Sequence, residues 1–227
     1  MDFAALGLTL RLASLTTICL LLVATPLAAW IASGNSGASG SNIARRIAQA
    51  AVALPLVLPP TVLGFYLLVG LGPATAVGRT LITLIGHPLA FTFWGLLIGS
   101  MIYSLPFAVQ PLVVAFASID RSTVEVASVL GASPWTIFRR ITLPLSRMSF
   151  VTAAVLTFAH TLGEFGVVLM VGGDIPGVTR TLSISIFDDV QELRYTDANL
   201  TAAALIAISF LALLVVYGRG RWRSELV

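Results

Sequence analysis

Five long stretches of this chain carry almost no charge, and each is long enough to be lost inside a lipid bilayer. Leu6 to Ala32 holds one charged residue, Arg11. Ile47 to Leu71, Leu89 to Ala117 and Leu200 to Tyr217 hold none, and Met148 to Val171 holds only His160 and Glu164. A hydrocarbon core about 30 Å thick is crossed by roughly 20 apolar residues of helix. Backbone groups in lipid must find their partners within the protein, which favours helices. The composition agrees, with 10% charged residues against about a quarter in soluble domains. The reading is an all-α polytopic membrane protein with about five transmembrane helices, forming a single domain over residues 1–227. The first stretch is too long for a secretory signal, and its start carries Asp2 rather than a basic segment.

Charge orients the spans. All thirteen basic residues are Arg. Arg45, Arg46, Arg121, Arg139, Arg140, Arg147, Arg219, Arg221 and Arg223 fall on one side of five alternating spans. Only Arg11, Arg79, Arg180 and Arg194 fall on the other. The Arg-rich side is expected in the cytoplasm, which puts the N-terminus outside and the C-terminus inside. The absence of Lys excludes a phosphate-binding loop ending in G-K-[ST], so the chain is not expected to bind ATP itself. Cys19 is the only cysteine, and His87 and His160 are far apart, so no metal site is expected. A net charge of +3 gives no case for nucleic-acid binding.

Within this frame, some segments carry more information than others. Gly34 to Asn42 reads as a flexible linker. Pro55, Pro59 and Pro60 interrupt the second span. Proline frees backbone carbonyls, so the broken helix should face a partner helix or a water-filled path. Pro106 and Pro111 are expected kinks in the third span. Thr80 to Ile85 reads as a short interfacial helix. In the fourth span His160 and Glu164 are four apart, which places them on one helix face, and Gly163 and Gly166 permit close helix approach. Leu182, Ile184 and Ile186 alternate with serines. An isolated strand has no sheet to join, so a helix over Thr181 to Leu193 is expected.

The largest insert on the Arg-rich side, about residues 118–147, reads as two short helices and a turn. Ser122 and Glu125 have capping-box spacing. Val126, Val129 and Leu130 share a face, and Gly131 suits the left-handed end of a helix. Ser133 caps a second helix with Pro134 at its first position, which runs through Trp135 until Leu143-Pro144 stops it. The insert cannot hold a core of its own, and a helix laid in a partner's groove satisfies its apolar side chains.

Glu125, Ala127, Gly131, Ile141, Leu143 and Pro144 resemble the coupling-loop signature of permease subunits of bacterial ABC importers, with Val126 in place of a second Ala. Ala132, Ser133, Pro134 and Trp135 complete the expected docking segment. Leu54 to Phe65, Leu162 to Gly166 and Gly172 to Leu182 resemble the matching stretches of molybdate-importer permeases, with sulfate and thiosulfate permeases similar in the same places. His160 stands where many relatives have Arg, and Asp174 where many have Asn. The resemblance implies a type I permease fold and a non-enzymatic subunit that moves molybdate by alternating access. It also implies a second copy of the chain, two copies of a cytoplasmic ATPase that binds the ATP and magnesium, and a periplasmic molybdate-binding protein. Sulfate, thiosulfate or tungstate are the alternative cargoes.

Pro59, Pro60, Thr61, His160, Gly163, Glu164 and Gly166 are the candidate path or gate residues. An ionised Glu164 lining the path would repel a dianion, so its expected role is a hydrogen-bonded structural or gate residue. The rival reading is an ion-driven secondary transporter with His160 and Glu164 as a proton relay. It leaves the insert without a purpose.

Overall fold

The structure is a computed structural model that describes residues 2–33 and 39–219. Among the described residues every regular element is helical. Helix α1 (Phe3–Ala32) starts at Asp2, whose carboxylate accepts from the amides of Ala4 and Ala5. Helix α2 (Ser39–Ala53) leads into a 3₁₀ turn at Leu54–Leu56, and α3 (Pro60–Leu71) follows. The short α4 (Ala76–Ile85) is capped by Thr75 and closed by Gly86 at φ 87°, where the interfacial helix was expected. Helix α5 (Phe93–Ala117) runs through both Pro106 and Pro111 without ending.

The insert holds α6 (Arg121–Val129), α7 (Pro134–Ile137), a π turn (Phe138–Thr142) and α8 (Leu143–Leu145). Then come α9 (Arg147–Leu162), α10 (Gly166–Gly172), α11 (Leu182–Gln191) and α12 (Tyr195–Arg219). The segment with alternating serines is therefore a helix, as expected. It ends two residues short of Leu193. Arg221, Arg223 and linker residues 34–38 lie outside the described residues.

Helices α1, α5 and α9 pack on one another as the centre of the bundle. Ala24 and Ala28 of α1, Ala108 of α5 and Ala153 of α9 are fully buried beside Leu20, Val109 and Leu112. Small residues at such contacts let helices approach closely where lipid offers no hydrophobic drive. A second cluster joins Leu12, Leu96, Leu97, Val168 and Ile184, which ties α10 and α11 to the N-terminal halves of α1 and α5.

Two expected spans are not single helices. In the second, the axes before and after the prolines diverge by 111°. Pro59 is extended (φ −55°, ψ 135°) because a residue before proline avoids the helical region, and α3 restarts at Pro60. The fourth breaks at Gly163–Phe165, between α9 and α10. Among the described residues three helices are long and apolar enough to cross a membrane, and five spans result only if two bent pairs count as one each. The second bent pair joins Pro134–Leu145 to Arg147–Leu162 at 72°, so the insert turns sharply away from α9.

The loop after α10 is held by ions. Arg180 bonds Asp174 through two nitrogens, one at 2.7 Å, and Asp188 lies 3.6 Å away. The bonds from Arg180 hold Asp174 below the usual carboxylate range. Partial burial, then the neighbouring Asp174, push Asp188 up. As pH falls, Asp188 therefore takes its proton first and relieves repulsion within the pair. Asp174 contributes stability above the ordinary aspartate value of about 4 and loses it only as pH passes its depressed value. The amide NMR shifts of Ile175, Gly177 and Val178 are expected to hold steady in mild acid and to move only below about pH 4. Arg180→Gln should bring that change to higher pH.

Candidate functional site

The insert is built to present a surface. Asp120 caps α6 with a bond from the Ser122 amide (3.0 Å) and one from its hydroxyl (2.6 Å). The expected Ser122–Glu125 box is not formed, because Asp120 already supplies the acceptor that the first turn needs. At the other end the Gly131 amide bonds the Ser128 carbonyl and the Ala132 amide bonds the Ala127 carbonyl, both at 3.0 Å, with Gly131 at φ 83°. This is the paired closure that a left-handed glycine allows. Ser133 then caps α7 by accepting from the Thr136 amide.

The second helix does not stop at Leu143-Pro144. Proline lacks an amide and crowds the carbonyl four residues back. The backbone widens into the π turn just before it, and the helical run continues to Leu145. No residue of α6, α7 or α8 is buried. Val129 is 87% exposed, Leu130 81% and Trp135 68%. Behind this surface, a cleft of about 910 Å³ separates the insert from the ends of α1, α2 and α5. Glu125 faces that cleft together with Arg45, Arg46 and Arg121, while Val126 points outward.

A second cavity, about 500 Å³, runs between α5, α9 and the 3₁₀ turn. Its walls are Leu56, Phe107, Val114 and Leu156 with three polar side chains, Gln110, Ser149 and Thr152. Thr152, Leu156 and His160 recur every four residues and so line one face of α9. Phe107, one of the groove's lining residues, stacks on the His160 ring, with centroids 4.1 Å apart. Tyr103 packs against the same ring at 4.8 Å. His160 Nδ1 is bonded to Ser104 Oγ at 2.9 Å.

Glu164 does not share a helix face with His160, because the chain leaves the helix at Gly163. Glu164 is 3% exposed, and neither carboxylate oxygen has a hydrogen-bond partner among the described residues. Ser100 faces it without a bond of ordinary geometry, and Tyr103 is within electrostatic reach. Ser183 on α11 repairs the break by donating to the Glu164 carbonyl at 2.9 Å.

The two proline- and glycine-rich breaks meet. A methyl group on Gly166 would come within 2.8 Å of Pro60 Cβ and 3.4 Å of the Thr61 nitrogen. One on Gly64 would meet Met170 Cβ at 2.7 Å. Gly163 is different, because a methyl there would find nothing nearer than 3.9 Å. The expected close approach therefore belongs to Gly64 and Gly166. Gly166→Val is expected to part α3 from α10 and lower stability by about 1–3 kcal/mol, as overpacking does. Gly163→Ala should be near neutral, and thermal unfolding of the two purified variants compares them.

Among the site residues, Pro60, Thr61 and Gly166 are brought together, while Pro59 caps α3. Ser100, Ser104, Tyr103, Phe107, Thr161 and Ser183 escaped the sequence reading. The one available signal was the pair Ser100 and Ser104, four apart in a span whose other polar side chains are Thr92, Tyr103 and Gln110, and the structure buries both serines fully.

Comparison with known proteins fits this architecture. The family model for the binding-protein-dependent transport system inner membrane component matches residues 24–220. The molybdenum transport system permease protein ModB of Azotobacter vinelandii is 51% identical over 225 residues, 99% of this chain and 97% of that one. The putative molybdenum transport system permease protein YvgM of Bacillus subtilis is 34% identical over 94% of this chain and 92% of its own. In fold, the chain resembles a subunit of a bacterial alginate ABC transporter crystallised with its pentasaccharide-bound periplasmic protein. That likeness has a TM-score of 0.75 over 96% of this chain and 78% of that one, at 22% identity. The chain therefore belongs to the binding-protein-dependent transport system inner membrane components, multi-pass proteins of the inner membrane.

Proposed function

We propose that this chain is the permease subunit of an ATP-driven importer that carries molybdate into the cytoplasm. The observation that carries the coupling is the insert. Its turn is fully specified by caps, yet none of its helical residues is buried. Such a surface has a use only against another protein. The cargo rests on the full-length likeness to a molybdenum permease. The Arg-rich side, with the insert, faces the cytoplasm, where a separate ATPase binds ATP and magnesium. The whole chain acts as one transmembrane domain, with residues 118–147 as its coupling loop.

Two copies of the chain enclose the path. The groove that holds Gln110, Ser149 and Thr152 is open on one flank, and a second copy closes it. Closure of an ATPase dimer draws the two inserts together and turns the path outward. A periplasmic molybdate-binding protein then delivers the anion, and hydrolysis returns the subunits to the inward state. Docking falls to Glu125, Ala127, Gly131, Ala132, Ser133, Pro134, Trp135, Ile141, Leu143 and Pro144. His160 lies on the path, and Glu164 supports its gate beside Pro60 and Gly166. A proton relay from His160 to Glu164 is not favoured, since His160 is bonded to Ser104 and the two lie on opposite sides of a helix break.

The test is uptake of labelled molybdate into proteoliposomes that hold the subunit and its ATPase, with binding protein outside and ATP inside. Uptake that needs ATP and resists excess sulfate is expected. Efficient competition by sulfate would move the cargo, and uptake driven by a proton gradient without ATP would overturn the reading.

A further inference from the structure

The hydrogen bonds around His160 form a chain in which every proton can be assigned. The Thr161 hydroxyl bonds the Thr157 carbonyl at 3.0 Å, and a carbonyl only accepts, so Thr161 is the donor. Thr161 Oγ1 also meets Ser104 Oγ at 3.1 Å. Its single proton is already committed, so Ser104 donates to it. Ser104 then has no proton left for its contact with His160 Nδ1 at 2.9 Å, and there it must accept. The donor at that contact is Nδ1–H. The neutral ring is thereby fixed in one tautomer, with Nε2 as a bare lone pair.

Nε2 has no hydrogen-bond partner among the described residues, and it is not a buried orphan atom. Phe107, which also lines the groove of Gln110, Ser149 and Thr152, stacks on the ring, and Tyr103 packs against it at a tilt of 51°. A bare lone pair on Nε2 repels the lone pairs of an oxyanion brought against it. The contact becomes attractive only with a proton in it.

We infer that a tetrahedral oxyanion can rest against His160 only together with one proton, held either on an anion oxygen that donates to Nε2 or on Nε2 itself. This deepens the importer reading above and rests on it. The proton count is the same in both forms. A hydrogen oxyanion on a neutral ring and a dianion on an imidazolium differ only in which atom holds the shared hydrogen. That proton enters from the solution on the side from which the anion arrives. Tyr103 on α5 is the titratable side chain against the ring, and Glu164 follows beyond the helix break. Helices α1 and α12 also pack on α9. Of their titratable residues, Asp2, Arg11, Cys19, Tyr195 and Asp197 neither bond nor stack with the ring.

The test measures ATP-dependent molybdate uptake from pH 6 to 8, at saturating loaded binding protein, in three forms: wild type, His160→Arg and Ser104→Ala. Dividing each rate by that of His160→Arg removes the pH dependence of the ATPase and binding protein, because an arginine stays charged throughout. The wild-type ratio is expected to rise as pH falls, by up to about tenfold per unit for one bound proton. Ser104→Ala frees Nδ1, lets Nε2 carry the hydrogen and donate to a dianion, and should flatten the slope.

Equal slopes in all three forms would overturn the inference and leave the importer reading standing. No ATP-dependent uptake by wild type at any pH would sink that reading instead. Should His160→Arg fail to assemble, the slope of wild type against Ser104→Ala decides. Nitrogen-15 spectra of histidine-labelled His87→Gln protein, in which His160 is the only histidine, give a second check. The neutral ring must show an unprotonated Nε2, and an Nε2–H signal would overturn the inference.

Discussion

Gly131→Pro is expected to abolish ATP-driven uptake while the subunit still assembles in the membrane. Gly131 sits at φ 83° and donates to the Ser128 carbonyl. Proline fixes φ near −65° and has no amide, and an incompatible proline costs about 3 kcal/mol or more. That cost falls on the turn between α6 and α7 and on no buried residue of either helix. The population with a docking-ready insert should drop about a hundredfold at 1.4 kcal/mol per factor of ten. Basal hydrolysis by the ATPase should continue, uncoupled from transport. Glu125→Lys should give the same phenotype by another route, since it adds a fourth positive charge to a cleft already lined by Arg45, Arg46 and Arg121. Normal coupled uptake by both variants would remove the docking role from this insert.

The second large effect is expected at Glu164, and its sign depends on the substitution. The carboxylate is buried without a hydrogen-bond partner among the described residues. Glu164→Gln keeps its shape and removes any charge, so stability and uptake should stay close to wild type. Glu164→Lys buries an unpaired ammonium, at a cost of several kcal/mol. Total stabilities are only about 5–15 kcal/mol, so most of the Lys protein should fail to appear as a monodisperse species in detergent. Size-exclusion profiles and uptake of the two variants check this. An assembled but inactive Gln variant would show that the charge itself is needed.

The helices and their caps were legible where one residue acts on its own neighbours. Gly131, Ser133 and Pro134 occupy the positions that their backbone preferences demand. The Ser122 cap was misplaced because Asp120, two residues earlier, is an equally good acceptor, and spacing alone cannot rank them. The breaks were harder. Three prolines announced an interruption in the second span, but the 111° turn arises from where α3 finds α10, through Gly64 and Gly166. Tertiary contact of that kind leaves no periodic signature. The fourth span looked continuous since Gly163 alone does not stop a helix. What makes the break affordable is Ser183, on another helix, bonding the Glu164 carbonyl. For the same reason, the sequence spacing of His160 and Glu164 suggested a pair, while the fold gives His160 to Ser104, 56 positions away.

The threonines of α1 bear on how the chain enters the bilayer during synthesis. Thr9, Thr17 and Thr25 each donate to the carbonyl four residues back, at 2.7, 2.7 and 2.6 Å. Those three hydroxyl protons are satisfied within the helix, so α1 enters lipid with only Thr16, among its threonines, lacking a partner among the described residues. Helix α9 has no such independence. It is shorter, and among the described residues its histidine finds a hydrogen-bond partner only on α5. Biogenesis should thus proceed in order, with α9 settling in the bilayer only once α5 is there to receive it.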